Sequence, residues 1–139
     1  MRRLLVYIGL IGISLFTFMF VITSTWIGFE VEQDCAIAID RYGGNSPQAN
    51  ESGRAGCTEA LIAHLEDESN SYKSRNSAIW GLGQVGDEKA LPTLEKYYTG
   101  NIPDREPINE VISQYELSKA INLCSGGFNI TKLVRENVI

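Results

Sequence analysis

The sequence predicts an all-α chain in which short helical hairpins follow one N-terminal transmembrane helix. Three observations carry that prediction. Residues 4–29 contain no charged side chain. Residues 74–98 encode two amphipathic helices joined by an abrupt turn. Apolar and glycine positions of that pair reappear upstream and downstream at a spacing of roughly 40 residues, the period of helical repeat arrays. No segment shows the apolar-polar alternation of a half-buried strand.

The uncharged run comes first. About 26 residues at ~1.5 Å each make a helix of roughly 39 Å, enough for the ~30 Å hydrocarbon core. Ser14, Thr17, Thr23, Ser24 and Thr25 can turn their hydroxyls onto the helix's own carbonyls. Tyr7 and Trp26 stand near the two ends, where amphipathic rings prefer the interface. A cleaved signal peptide is the rival reading. It would have an apolar region of about 7–15 residues and then a small-x-small site. Here the run is longer, and Trp26-Ile27 spoils its end. Cys35 follows Glu32-Gln33-Asp34, which is unlike a lipoprotein box. The expectation is an uncleaved anchor over residues 1–29 and one helical domain over residues 30–139. Arg2 and Arg3 precede the anchor, and Glu30, Glu32 and Asp34 come after it. The positive-inside tendency then puts the N-terminus in the cytoplasm and the domain outside, in a periplasmic or extracellular space. Gly9 and Gly12 are three apart rather than four, so the anchor reads as a tether and not as a helix-dimer seam.

Beyond the anchor, Val31 to Tyr42 reads as a helix that Gly43-Gly44 ends. Residues 45–56 are polar, contain Pro47 and read as a loop. Cys57 to Glu68 forms a second helix. Its acidic end (Glu66, Asp67, Glu68) opposes the helix dipole and reads as a solvated face. Asn70 or Ser71 caps a third helix that runs to Val85, with Ala78, Ile79, Leu82 and Val85 on its apolar stripe. Gly86 suits a left-handed helix end, and Asp87 suits the cap of the next helix. Pro92 has no amide hydrogen, so the regular fourth helix begins near Leu91 and ends near Tyr98. Ala90, Leu91, Leu94, Tyr97 and Tyr98 form its stripe. Pro103 and Pro107 hold the next loop extended. Ser113-x-x-Glu116 then opens a helix through Cys124, and Gly126-Gly127 ends it. Residues 128–139 are apolar enough to fold back.

Arg75, Ala78, Leu82-Gly83, Val85-Gly86-Asp87, Ala90 and Pro92 with Leu94 together resemble a HEAT repeat of the type first described in phycobilin lyases. The resemblance rests on residues 74–98, and the flanking segments fit it loosely. More distantly, the soluble part resembles small membrane-anchored HEAT-domain proteins of bacteria with no assigned activity. The resemblance implies an α-solenoid whose concave face, lined by second helices, binds other proteins. It carries over no catalytic residue. The internal echo agrees: Ile39, Tyr42 and Gly43 lie 43 residues before Leu82, Val85 and Gly86, and Ala120-Ile121 lies 42 after Ala78-Ile79. That makes about two and a half units, with end units that depart from the pattern as terminal caps do.

Charge narrows the function classes. The chain has 12 basic and 17 acidic residues; with Arg2 and Arg3 set aside, the rest carries 10 against 17, a net of −7. An acidic surface argues against nucleic acid, which needs clustered Lys and Arg, and against lying flat on an anionic membrane. Cys35, Cys57 and Cys124 each share a helical stripe with apolar residues. They read first as three small buried side chains. A Cys35–Cys57 disulfide between adjacent helices is the alternative outside the cytoplasm. Zinc ligands usually pair at short spacing, and no two cysteines here are closer than 22 residues.

Chemistry is thinly supplied. His64 is the single histidine, and it sits mid-helix between Leu61 and Leu65. Any Ser-His-Asp or Cys-His site would have to use it, and no glycine-rich nucleophile turn lies nearby. Gly81 to Gly86 matches G-x-G-x-x-G but has no strand before it. The histidine-glutamate pairs of metal-dependent HEAT hydroxylases are missing, and nothing marks a tetrapyrrole site. Sequons occur at Asn50 and Asn129 and matter only in a eukaryotic secretory pathway. The expectation is therefore no catalytic, cofactor or metal site. The chain reads as a membrane-tethered protein–protein interaction module, an adaptor or scaffold with a protein partner, held in the membrane through residues 4–29. The alternatives are an accessory subunit bound through its anchor to a membrane complex, or a bilin-lyase-like enzyme. Trp80, Tyr97, Tyr98 and Arg105 are the candidate contacts, since aromatics and arginine dominate interface hot spots.

Overall fold

A single helix, α1 (Arg2–Tyr42), runs from the uncharged segment into the packed domain without a break. The structure is a computed structural model and describes residues 2–42 and 55–133. The expected stop at Gly43-Gly44, most of the 45–56 loop with its Asn50 sequon, and residues 134–139 lie outside the described residues. The sequence reading separates the anchor from a first helix starting at Val31, whereas here they are one element. Gly28 does not interrupt it, and no proline is present to remove an amide or force a kink. The two halves of α1 face different surroundings. Phe16 is 72% exposed, while Val31 and Ala38 are each 1% exposed in the core. The apolar part makes α1 long and apolar enough to cross a membrane. Two of its hydroxyls are satisfied within the helix: Thr17 donates to the Ile13 carbonyl at 2.8 Å and Thr23 to Met19 at 2.7 Å.

Beyond α1 come α2 (Ala55–Glu66), α3 (Tyr72–Val85), α4 (Leu91–Tyr97) and α5 (Gln114–Cys124), and residues 130–133 are helical as well. A 3-10 turn, Glu88–Ala90, precedes α4. No strand occurs among the described residues. Local side-chain caps explain three of the starts. Ser71 accepts from the Ser74 amide at the start of α3, Asp87 from Lys89 before the 3-10 turn, and Ser113 from Glu116 before α5. Gly86 ends α3 at φ 67, where its amide bonds to the Leu82 carbonyl. That left-handed backbone strains any residue with a Cβ.

Burial of one stripe per helix drives the packing. α1 lies on α2, α2 on α3 and α3 on α5; α3 also touches α1, and α4 touches α5. Leu61 and Leu65 of α2, Ile79 and Leu82 of α3, Leu94 of α4 and Leu117 of α5 are the largest apolar side chains of the core, all at 2% exposure or less. The α3–α5 contact is close. A Cβ placed on Gly83 would stand 2.9 Å from the Cα of Ala120. Asn129 ties the chain's return to the same corner: its buried amide donates to the Gly83 carbonyl at 2.9 Å.

Two expectations are corrected. The three cysteines are not all free: Cys35 of α1 and Cys57 of α2 form a disulfide, leaving Cys124 buried and free. Because α1 continues past Glu30 and lies on α2, the two Cα atoms come within 5.0 Å, inside the usual bridging range. In addition, α2 stops at Glu66, two residues before the expected end. Asp67 leaves the helix to accept from the Tyr42 hydroxyl at 2.7 Å and from the Ser69 amide at 2.9 Å.

Candidate functional site

An open groove of about 570 Å³ marks one side of the domain. It lies where the domain half of α1 faces α3, the 106–113 segment and the start of α5. Glu30 and Asp34 come from α1, just beyond the last uncharged residue; Lys73 and Trp80 come from α3; Tyr115 and Glu116 come from α5. Burial raises the Asp34 carboxyl above the usual range, and the charge of Glu30 adds to that.

The wall opposite α1 is held by a polar network. Asn76, buried on α3, donates to the carbonyls of Ile108 at 2.8 Å and Val111 at 2.9 Å, and its own carbonyl accepts from the Ser113 amide at 2.9 Å. Glu106 accepts from the amides of Gln114 at 2.6 Å and Tyr115 at 3.2 Å and from the Ser113 hydroxyl. One carboxylate thus satisfies the otherwise unpaired amides of the first turn of α5. Segment 106–113 therefore has a defined course although it carries no regular helix.

A second, smaller cavity of about 130 Å³ lies between α1, α2 and α3 and shares Asp34 and Ser77 with the groove. It brings His64 to the Ser74 hydroxyl, at 2.7 Å from Nε2. No motif in the sequence announces this hydrogen-bonded Ser-His pair beside a carboxylate. The pair belongs to a wider set of contacts. Burial, then the nearby Arg41 charge, lowers the His64 pKa. Its ring meets the Tyr42 ring edge-on at 5.6 Å, and its carbonyl accepts from Asn70 at 3.0 Å. The same Asn70 also donates to the Tyr42 hydroxyl and accepts from Arg41. This network fastens the end of α1 to the α2–α3 turn. The cavity is also well below the ~300 Å³ lower end of small-molecule sites.

The four candidate contact residues do not share one surface. Trp80 lines the groove. Tyr97 and Tyr98 are half-buried against the core, and the Arg75 guanidinium lies 5.5 Å from the Tyr97 ring centre. Arg105 is exposed on a separate hollow formed within its own loop. Glu30, Asp34 and Glu106 were missed as groove residues. Only their charge is visible in the sequence, since their meeting depends on how α1 and a non-helical segment pack.

Other chemistry is limited. Burial, with the Asp87 charge adding to it, pushes the Cys124 thiol up to about 11. A thiol raised in this way is mostly protonated at neutral pH. Gly81 to Gly86 lies in the last turns of α3 and at its cap, not in a phosphate loop. Among the described residues no group of His, Cys, Asp or Glu is placed to hold a metal ion.

Fold and groove together define a class: a small all-helical domain continuous with one long apolar helix. Comparisons with protein-family models, curated proteins and solved structures found no match.

Proposed function

We propose that the protein is a membrane-tethered interaction module whose helical domain, held next to the bilayer, binds another protein. The observation that carries this reading is the continuity of α1. A helix exposed over its apolar part and packed along one stripe, Val31 and Ala38, over its C-terminal part suits two surroundings. A bilayer would cover the apolar part, and the domain already covers the stripe. The Cys35–Cys57 disulfide and the Arg41–Asn70–Tyr42–Asp67 network fix α1 to the rest of the domain. Whatever docks on the domain would then sit at a set height and angle above the membrane. The disulfide also fits the extracytoplasmic side, where oxidising conditions preserve such bonds.

The HEAT-like reading belongs to the same proposal. α3 lies between α1 and α5, as first helices of successive units would, while α2 lies beside the 3-10 turn that leads into α4. The row of α1, α3 and α5 supports this reading of a short solenoid of about two and a half units, whereas α4 packs mainly on α5 rather than along α3 or α2.

The test is a mild-detergent pull-down of the full chain, compared with a chain whose residues 4–26 are replaced by an unrelated transmembrane helix. A partner kept by both chains supports the module. A partner lost with the native anchor supports the accessory-subunit reading. The His64–Ser74 pair favours one alternative of another class, an acyl-transfer enzyme. A fluorophosphonate probe would mark Ser74 if that were so; the expected result is no labelling.

A further inference from the structure

The groove between α1 and α3 has walls of opposite character. Trp80 and Tyr115 supply aromatic surface, and Glu30, Asp34 and Glu116 supply carboxylates along its edges. Among the described residues that line it, Lys73 is the one cation. Glu106 spends its charge inside, on the Ser113 hydroxyl and the α5 amides. Lys119 partners Glu116 at 3.5 Å and lies 5.0 Å from the Tyr115 ring centre, in exposed contacts that compete weakly and leave Trp80 as the open ring. Glu30 and Asp34 lie one turn apart on the same helix face, where like charges repel. The partial burial that opposes ionisation of Asp34 also deprives it of water. An arriving cation would relieve both costs, and its aliphatic stem would lie against the Trp80 ring.

Taking the interaction-module reading as its basis, we propose that this groove is the docking site for a basic polypeptide segment, one arginine or lysine of which enters between Trp80 and Asp34. Charge complementarity selects the occupant. The domain side of the chain has a net charge of −7, and the groove adds carboxylates near the Trp80 ring, the combination that recognises a guanidinium or an ammonium. The network of Asn76 and Glu106 sets the far wall in advance, so binding need not order it. Because Glu30 and Asp34 come directly after the apolar run of α1, the segment would dock at the membrane-facing edge of the domain.

The test uses full-length protein in a maltoside detergent and a fluorescein-labelled penta-arginine peptide, read by anisotropy. The expected result is saturable one-to-one binding that weakens with salt. Asp34→Asn and Trp80→Leu should each weaken it by about tenfold or more, as for loss of one partner of a partly desolvated charged contact. Glu88→Gln makes the same charge change on the exposed 3-10 turn and should leave binding within about twofold, as for a rim charge far from the contact. Glu116→Gln, on the groove edge, gives an intermediate loss and keeps the test decisive if Asp34→Asn fails to fold. An equal loss from Glu88→Gln would mean diffuse surface charge and overturn the site. Displacement of the peptide by phosphocholine would overturn the polypeptide occupant in favour of a lipid headgroup. Absence of saturable binding overturns the docking site outright; if the anchor-swapped chain still captures its partner, the module reading survives that failure.

Discussion

Substituting Gly83 by alanine sets two effects of known sign against each other. Gly83 lies in the last turn of α3, where alanine improves helix propensity by about 1 kcal/mol. The new Cβ would stand 2.9 Å from the Ala120 Cα and 3.1 Å from its Cβ. A backbone atom cannot rotate away, so α3 and α5 must separate, and overpacking of this kind costs about 1–3 kcal/mol. We place the cost in the upper part of that range because the obstacle is main chain. The expected net loss is about 1–2 kcal/mol. Gly81→Ala is the internal control. Its Cβ meets only the side chain of Leu61, with Cδ1 at 3.3 Å, and that side chain can shift. There the propensity gain should dominate, leaving stability unchanged or raised by up to about 1 kcal/mol. Urea unfolding of the full chain in maltoside, followed by Trp80 fluorescence in a Trp26→Phe background, measures both. A Gly83→Ala protein as stable as Gly81→Ala would refute the close α3–α5 crossing.

Three more outcomes are expected from the same packing. Leu82→Ala, at a fully buried position, should cost about 2–5 kcal/mol in that assay; a loss below about 1 kcal/mol would contradict the assigned face of α3. Replacing Cys35 and Cys57 together by serine reopens a loop closed at a separation of 22 residues and should cost about 3 kcal/mol on the chain-entropy estimate; an unchanged midpoint under non-reducing conditions would argue against the bond. Hydrogen bonds from Ser69 and then Tyr42 hold the Asp67 carboxyl down at about 2, against 3.8 when unperturbed. A depressed carboxylate stabilises the fold above its unfolded pKa and loses that contribution as pH falls. Acid unfolding should therefore show a component between about pH 4 and pH 2 that Asp67→Asn removes; an unchanged acid profile would contradict the Tyr42 contact.

How legible the structure was depends on the range of each interaction. The caps at Ser71, Asp87 and Ser113 and the left-handed end at Gly86 were readable because each involves atoms within four residues along the chain. The apolar stripes of α3 and α5 were readable for the same reason, since helical periodicity is local. The continuity of α1 was not. Gly28-Phe29-Glu30 looks like a boundary in composition, yet composition changes the solvent a helix meets without ending its hydrogen-bond ladder. The disulfide was open for the related reason that pairing depends on how α1 lies on α2. The groove was least legible. Asn76 reaches carbonyls and an amide 32 to 37 residues away, and Glu106 supports α5 from outside its first turn. Of the four contact candidates only Trp80 reached the groove, because Tyr97 and Tyr98 were recruited to the core that their own stripe predicts.

Whether the domain or its apolar helix holds the partner is decided most directly by photo-crosslinking in intact cells. A benzophenone amino acid is placed singly at position 10 in the apolar run, at Tyr115 beside the groove and at Arg105 on its separate hollow. If the domain is the contact, position 115 yields a discrete adduct that persists when residues 4–26 are exchanged for an unrelated transmembrane helix. Adducts from position 10 alone, lost on that exchange, would contradict this and make the apolar helix the contact.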